Sequence, residues 1–185
     1  TATNISKDFG LSKTEFGMLV SAGLIGMVIG SMVLAPLADK FGRRPILLLS
    51  VAFSAVGLGG SGFSTTSEIL AFSRILTGLG VGGILVGTNV ITSEYSSKKW
   101  RSFAISVYAA GFGIGAMIGG IIAKSLQAAY SWHAVYFAGA AMTAVVFVVL
   151  WIWLPESIDY LNSKQPQNAK ARLNKSAHKL GFAGE

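Results

Sequence analysis

The sequence predicts an all-α membrane protein with five transmembrane helices. Of its 185 residues, 52% are hydrophobic and only 12% are charged, whereas soluble domains carry about 25% charged residues. The apolar residues form five long stretches separated by short polar turns. At the first turn, the charged run at residues 39–44 ends one apolar stretch and the next stretch follows at once. So short a polar connection predicts two antiparallel helices that meet at a membrane surface.

Each apolar stretch is long enough to cross a hydrocarbon core of about 30 Å. The predicted spans cover about residues 16–38, 46–63, 68–93, 102–126 and 132–154. Ser12 and Glu15 predict a capping box at the start of the first helix, after a polar extramembrane segment. Pro45 suits the first turn of the second helix, and Pro155 ends the fifth.

The positive charges predict how the helices are oriented. Three Lys and Arg residues lie in the turn after the first span, three in the loop after the third and five in the tail, against three on the opposite face. This excess predicts that the turn, the loop and the tail are cytoplasmic, so that residue 1 is outside and residue 185 inside. Since no signal peptide is visible, we expect an earlier transmembrane helix that carries residue 1 across.

The chain divides into two parts. Residues 1–157 form the predicted helical bundle, and residues 158–185 form a basic segment with Leu and Ala at helical spacing. Such a segment is typical of an amphipathic helix on an anionic membrane surface. The alternative is a regulatory or partner-binding linker.

Composition and charge exclude several classes of protein. The surplus of 15 Lys and Arg over 8 Asp and Glu lies between apolar stretches, as topology signals do, so no nucleic-acid partner is predicted. The chain has no cysteine, which removes thiolate metal sites, and we expect no metal site. An intramembrane enzyme would need a nucleophile, a base or a metal cluster, and the spans offer only Arg74 and scattered hydroxyls.

Arg74 is the one full charge well inside a predicted span. An Arg in the centre of a membrane helix costs at least about 2.5 kcal/mol, so we expect it to face the bundle interior with a functional role. The alternative is that its side chain snorkels to the outer interface. Gly78, Gly82 and Asn89 continue the same helix face, which favours a stripe that lines a cavity.

Glycines recur at intervals of four along the third and fourth spans. Small residues at this spacing let two membrane helices approach closely. The predicted helix-packing positions are Gly78, Gly82, Gly111, Gly115 and Gly119.

Aromatic residues cluster at the outer end of the fifth span, at Trp132, His133 and Tyr136. Aromatic side chains at this depth usually form an interfacial belt, so we expect them to anchor the helix at the membrane surface. The alternative for His133 is a place in a proton relay.

Several short motifs carry a resemblance to a known family. Ala-Asp-Lys-Phe-Gly-Arg-Arg at residues 38–44 resembles the signature loop between the second and third helices of the major facilitator superfamily. Arg74 with the paired glycines that follow it resembles that superfamily's fourth-helix motif, and Pro-Glu-Ser at residues 155–157 resembles the end of its sixth helix. The resemblance implies that the chain holds helices two to six of a twelve-helix transporter, with residues 158–185 in its cytoplasmic central loop.

Within that superfamily the sequence most resembles the aromatic acid/proton symporters, through Ser-Glu-Tyr at residues 93–95 and Leu-Pro-Glu-Ser at residues 154–157. The resemblance implies proton-coupled symport of small organic anions, such as benzoate-type acids, by alternating access in the inner membrane of the cell. It supports a substrate or proton-coupling role for Arg74. Asn89, on the same helix face, and Tyr108, an aromatic ring suited to stacking on an aromatic substrate, are the other candidates, and the alternative for Tyr108 is lipid-facing or core packing. The resemblance also implies no cofactor beyond the proton as coupling ion. The expected partners are the organic anion, the lipid bilayer, and the first helix and C-terminal half of the same transporter.

The resemblance further implies a network of charges at the cytoplasmic ends of the helices. Its members are Asp39, Arg43, Arg44, Glu94, Arg101 and Glu156. Ion pairs that form in only one conformation act as a latch between conformations. The alternative is a turn that only fixes the topology.

Two other functions remain open from the sequence. A sugar or polyol carrier would have the same architecture, and a membrane scaffold would transport nothing. Ala116 occupies the position of the proline in the fifth-helix motif of antiporters, which favours symport. A scaffold would tolerate the loss of Arg74, whereas a carrier would not.

Overall fold

In the computed structural model, residues 5–6 and 8–154 are described, and they form five long α-helices without a strand. The helices are α1 (Lys13–Phe41), α2 (Arg43–Gly62), α3 (Ser67–Tyr95), α4 (Arg101–Ala129) and α5 (Trp132–Trp153). Each of the five is long and apolar enough to cross a membrane. The predicted all-α fold and its five spans are therefore confirmed, while Pro155, Glu156 and residues 158–185 lie outside the described part.

The capping box at the start of α1 forms as predicted. The Ser12 hydroxyl accepts a hydrogen bond from the Glu15 backbone N–H at 3.3 Å, and the Glu15 carboxylate accepts one from the Ser12 N–H at 2.8 Å. These two bonds satisfy donors that a helix start otherwise leaves without partners.

The charged turn is shorter than predicted. Both helices extend into the charged run, and Gly42 alone joins α1 to α2, at a φ of 106°. L-residues with a side chain rarely adopt this φ, so glycine is needed here. A one-residue connection holds the end of α1 and the start of α2 side by side.

α1 and α3 pack through glycines on both helices. The backbones of Gly26 and Gly30 lie directly against Ile75 and Leu79, so neither glycine has room for a Cβ. Since lipid is as apolar as the bundle interior, close van der Waals contact between backbones is what holds membrane helices together.

α2 and α3 pack through a similar set of small residues. Gly57 lies against Thr77, and Gly80 lies against Ser54. The buried hydroxyls of Ser50 and Ser61 on α2 donate to carbonyls of their own helix, as Ser50 does to Ile46 at 2.7 Å, whereas Ser54 donates to the Thr77 carbonyl of α3 at 3.4 Å. Such bonds allow serine to replace a larger residue in a membrane helix without leaving a polar atom unpaired.

α4 and α5 pack less closely. α4 has no buried residue. A Cβ added at Gly111, Gly115 or Gly119 would meet no atom of the described chain within 4 Å, so packing at these three glycines stays a prediction. α5 contacts the C-terminal end of α2, where Phe137 meets the capping residue Phe63 edge to face at 4.7 Å.

A hydrophobic cluster closes the end of the bundle near residue 132. Its buried members are Ile5, Leu19, Leu70, Trp132 and Tyr136. The predicted aromatic belt is wrong at Trp132 and Tyr136, which are packed inside the cluster and do not face lipid. The cluster also holds Ile5, so the polar segment before α1 packs against the bundle. The sequence pattern could not reveal either contact, since apolar side chains suit both lipid and protein surroundings.

Candidate functional site

The guanidinium of Arg74 lies over the ring of Tyr136, with its Cζ 5.3 Å from the ring centroid. Tyr136 is only 5% exposed, so the cation points at the protein and not at lipid. The ring face carries partial negative charge and attracts a cation that has lost its water. The Nε atom of Arg74 is buried and has no hydrogen-bond partner in the described chain.

Tyr136 connects Arg74 to the segment before α1. Its ring meets Trp132 edge to face at 5.8 Å, and the Trp132 indole N–H donates to the Asp8 carboxylate at 2.5 Å. His133 stacks on Trp132 at 3.6 Å. The Tyr136 hydroxyl is buried without a hydrogen-bond partner in the described part.

The site residues Tyr136, Trp132 and Asp8 were missed by the sequence reasoning. The sequence signal that could have found them was the four-residue spacing of Trp132 and Tyr136, which places both on one face of α5. Nothing in the sequence pattern placed Asp8 beside that face.

The structure separates Asn89 from Arg74. Asn89 follows Arg74 by fifteen positions in α3, which is about 22 Å at 1.5 Å per residue. Asn89 is exposed near the far end of α3, and Tyr108 lies near it, joined to Thr88 by a hydrogen bond of 2.9 Å. The three predicted substrate residues therefore fall at two depths.

The predicted cavity-lining stripe on α3 is wrong at Gly78 and Gly82. Both glycines lie against the backbone of α1, Gly78 at Gly23 and Gly82 at Met27. They serve the helix packing that the same spacing also predicted. A stripe of small residues fits either a cavity or a neighbouring helix, and only the position of α1 decides between them.

At the opposite end of α3, Arg43 lies between two carboxylates. It pairs with Asp39 at 3.2 Å and forms a second ion pair with Glu94. The Glu94 side chain is 8% exposed, whereas that of Asp39 is 71% exposed. An ion pair is stronger where water is excluded, so Glu94 is the main partner of Arg43. This pair ties the start of α2 to the end of α3.

Arg44 and Arg101 each donate a hydrogen bond to the C-terminal end of a helix. Arg44 donates to the Trp151 carbonyl of α5 at 2.7 Å, and Arg101 donates to the Ser93 carbonyl of α3 at 3.1 Å. Carbonyls in the last turn of a helix lack helical partners and carry partial negative charge, which a cation stabilises. Among the described contacts of the predicted network are one ion-pair cluster, formed by Asp39, Arg43 and Glu94, and two helix-end contacts. Glu156 lies outside the described residues.

A cavity of about 140 Å³ lies beside the ion-pair cluster, between α1, α2 and α3. Asp39 and Arg43 border it, and the rest of its lining is apolar. In the part of the chain that the structure describes, no group of three or more His, Cys, Asp or Glu side chains could hold a metal ion.

Five long apolar helices are the architecture of a multi-pass membrane protein. A cation held inside such a bundle is typical of a functional site. The comparison with known proteins identifies the family. The model of the Major Facilitator Superfamily matches residues 1–181, and the chain belongs to this superfamily. Its relatives and its fold are those of transporters and not of enzymes.

Relatives of known function are similar over most of this chain. It is 35% identical to the 4-hydroxybenzoate transporter PcaK of Pseudomonas putida over 161 residues, which cover 86% of this chain and 36% of that protein. It is 33% identical to the gallate transporter of Pseudomonas putida, over 89% of this chain and 36% of that protein. The chain thus spans little more than a third of the length of these curated relatives.

A solved structure shows the same fold. The inward-open conformation of the xylose transporter XylE from E. coli matches with a TM-score of 0.75 at 21% identity, over 95% of this chain and 46% of that one. At this identity the match shows that the helices are arranged alike and gives no information about the substrate.

Proposed function

We propose that this chain is part of a proton-coupled symporter of small organic anions, with aromatic carboxylates as its substrates, that works by alternating access. The observation that carries the proposal is Arg74, a cation within the bundle whose buried Nε lacks a partner in the described chain. The named relatives support the substrate class, because 4-hydroxybenzoate and gallate are both aromatic carboxylates.

Arg74 is assigned to the carboxylate of the substrate. A guanidinium is planar and offers two parallel N–H donors, which match the two oxygens of a carboxylate. Both bonds are charge-assisted and gain strength where water is excluded. Lysine keeps the charge but offers no such fork, so it does not replace arginine at this site.

The proton is proposed as the coupling ion on electrical grounds. Moving one negative charge into a cell against a potential of 100 mV costs about 2.3 kcal/mol. A proton carried in the same cycle cancels that charge and adds the energy of its own gradient. No further cofactor is required.

The ion-pair cluster of Asp39, Arg43 and Glu94 is assigned to a cytoplasmic latch. The other members of the proposed charge network are Arg44, Arg101 and Glu156. Such ion pairs hold helix ends together in one conformation and release them in the other. They therefore bias the equilibrium between the two conformations. Asn89 and Tyr108, near the same end of α3, are assigned to the inner part of the substrate path.

The proposed location is the inner membrane of the cell, with residue 1 outside and residues 158–185 in the cytoplasm, as the distribution of Lys and Arg favours. The proposed partners within the transporter are its first helix and its C-terminal half. Alternating access then follows from rocking of the two halves about a midplane site.

Uptake by the full-length transporter tests the function. Vesicles that contain the purified protein receive an inward proton gradient, and uptake of labelled 4-hydroxybenzoate is followed with benzoate or xylose as competitor. We expect benzoate to reduce uptake, xylose to leave it unchanged, and a protonophore to abolish accumulation. Competition by xylose and not by benzoate would instead favour the sugar carrier.

Arg74→Lys tests the assignment of the site. We expect it to lower uptake at least tenfold at equal protein content, because the two-bond geometry is lost. Lys124→Arg, at an exposed position on α4, is the matched control and should transport normally. Normal kinetics of Arg74→Lys would overturn the assignment.

A further inference from the structure

Two buried hydrogen-bonding atoms lie on neighbouring faces of α3 and α5 without partners in the described chain. They are the Nε of Arg74 and the hydroxyl of Tyr136. The two side chains are in contact, with the guanidinium over the phenol ring at 5.3 Å. Neither atom satisfies the other, because each is without a hydrogen-bond partner in the described chain.

The unpaired hydroxyl of Tyr136 calls for an explanation, since buried polar groups in proteins are nearly always bonded. The residue is 5% exposed, so bulk water does not supply the bond. The Asp8 carboxylate, the acidic group of the neighbouring segment, accepts the Trp132 indole N–H. The surrounding side chains Leu19 and Leu70 are apolar.

A carboxylate satisfies both groups at once. Arginine only donates hydrogen bonds, the tyrosine hydroxyl donates one, and an ionised carboxylate only accepts, through two oxygens. The two oxygens take the two parallel N–H bonds of Arg74, and one of them uses its second lone pair to accept the hydroxyl bond of Tyr136. In surroundings as apolar as these, both bonds are stronger than they would be in water.

We propose that the Tyr136 hydroxyl is a second donor to the substrate carboxylate, so that Arg74 and Tyr136 together form a two-donor carboxylate site between α3 and α5. Tyr136 belongs to the same buried cluster as Trp132 and as Ile5 of the segment before α1. This inference rests on the proposed function and adds a substrate-binding residue to it.

Tyr136→Phe in the full-length transporter removes the hydroxyl and keeps the ring that covers Arg74. We expect the KM for 4-hydroxybenzoate to rise about tenfold, the effect of losing one hydrogen bond to a charged group, with Vmax within about twofold of the unaltered protein. Tyr130→Phe is the matched control, because Tyr130 is 74% exposed, and its KM should not change.

Thermal unfolding in detergent provides a second measurement that needs no transport. Benzoate should raise the Tm of the unaltered protein and of Tyr130→Phe, and raise that of Tyr136→Phe much less. An equal benzoate shift in all three proteins overturns the inference.

The outcomes separate the two proposals. If Arg74→Lys lowers uptake while Tyr136→Phe keeps a normal KM, the two-donor site is wrong and the proposed function stands. A Tyr136→Phe protein with reduced Vmax and unchanged KM has lost only structural support, which also overturns the inference. If the unaltered protein takes up no aromatic acid, both proposals are wrong.

Discussion

Arg43 forms two ion pairs whose contributions to stability differ because one partner is buried and the other is exposed. Its side chain is 17% exposed and meets a nearly buried Glu94 and a largely exposed Asp39. Exposed pairs four residues apart contribute only about 0.3–0.5 kcal/mol. Removing one partner of a buried pair costs roughly 3–5 kcal/mol, because a charge stays buried without compensation. We therefore expect the proposed latch to depend more on Glu94 than on Asp39.

The first prediction compares Glu94→Gln with Asp39→Asn. Both variants should insert into the membrane, and both should transport more slowly, with the loss several-fold larger for Glu94→Gln because its partner is buried. The measurement is initial uptake rate at equal protein content. Glu68→Gln, at an exposed site near the other end of α3, is the control. A larger loss in Asp39→Asn would contradict this ranking, and unchanged transport in both would refute the latch.

At the scale of elements, glycines decide how closely helices approach. α1 and α3 meet along Gly26, Gly30, Gly78 and Gly82, where a Cβ would collide with the backbone of the other helix. A backbone collision cannot be relieved by a change of rotamer, so the helices themselves would have to move apart. The contact loses van der Waals energy along its whole length as they separate.

The second prediction is that Gly78→Ala lowers the thermal stability of the protein in detergent. Overpacking of this kind costs about 1–3 kcal/mol. Gly59→Ala is the matched control, because Gly59 lies in α2 with no described atom near its Cβ direction. The control should gain up to about 1 kcal/mol from helix propensity. Equal melting temperatures for the two variants would show that α1 and α3 pack differently.

For the whole molecule, the proposed orientation in the membrane follows from charge alone. The cytoplasmic assignment of the loop at residues 96–100 depends on Lys98 and Lys99, and the turn at Tyr130 is assigned to the outside. The 185 residues contain no cysteine, so single cysteines introduced into this chain report their own positions.

The third prediction concerns this orientation. In intact cells, a membrane-impermeant maleimide should label Tyr130→Cys and should label Lys98→Cys only after permeabilisation, because the reagent does not cross the bilayer. The protein without introduced cysteines gives the background. The reverse pattern would invert the proposed topology.

The sequence by itself determined the fold class, the five spans, the capping box at Ser12 and the charged ends of α1 and α2. These features depend on the hydropathy, charge and turn chemistry of residues that are close in sequence, and all three properties can be read from the local sequence. The main features of the spans could therefore be predicted without knowing what packs against them.

Only the tertiary structure decided which face of each helix is covered. It separated Arg74 from Asn89, buried Trp132 and Tyr136, and gave Arg43 its pair with Glu94. The helices are apolar all round, and lipid is as apolar as the interior, so hydropathy does not tell a lipid-facing side from a buried one. The rotation of each helix is fixed by contacts with helices distant in sequence, which the local pattern does not contain.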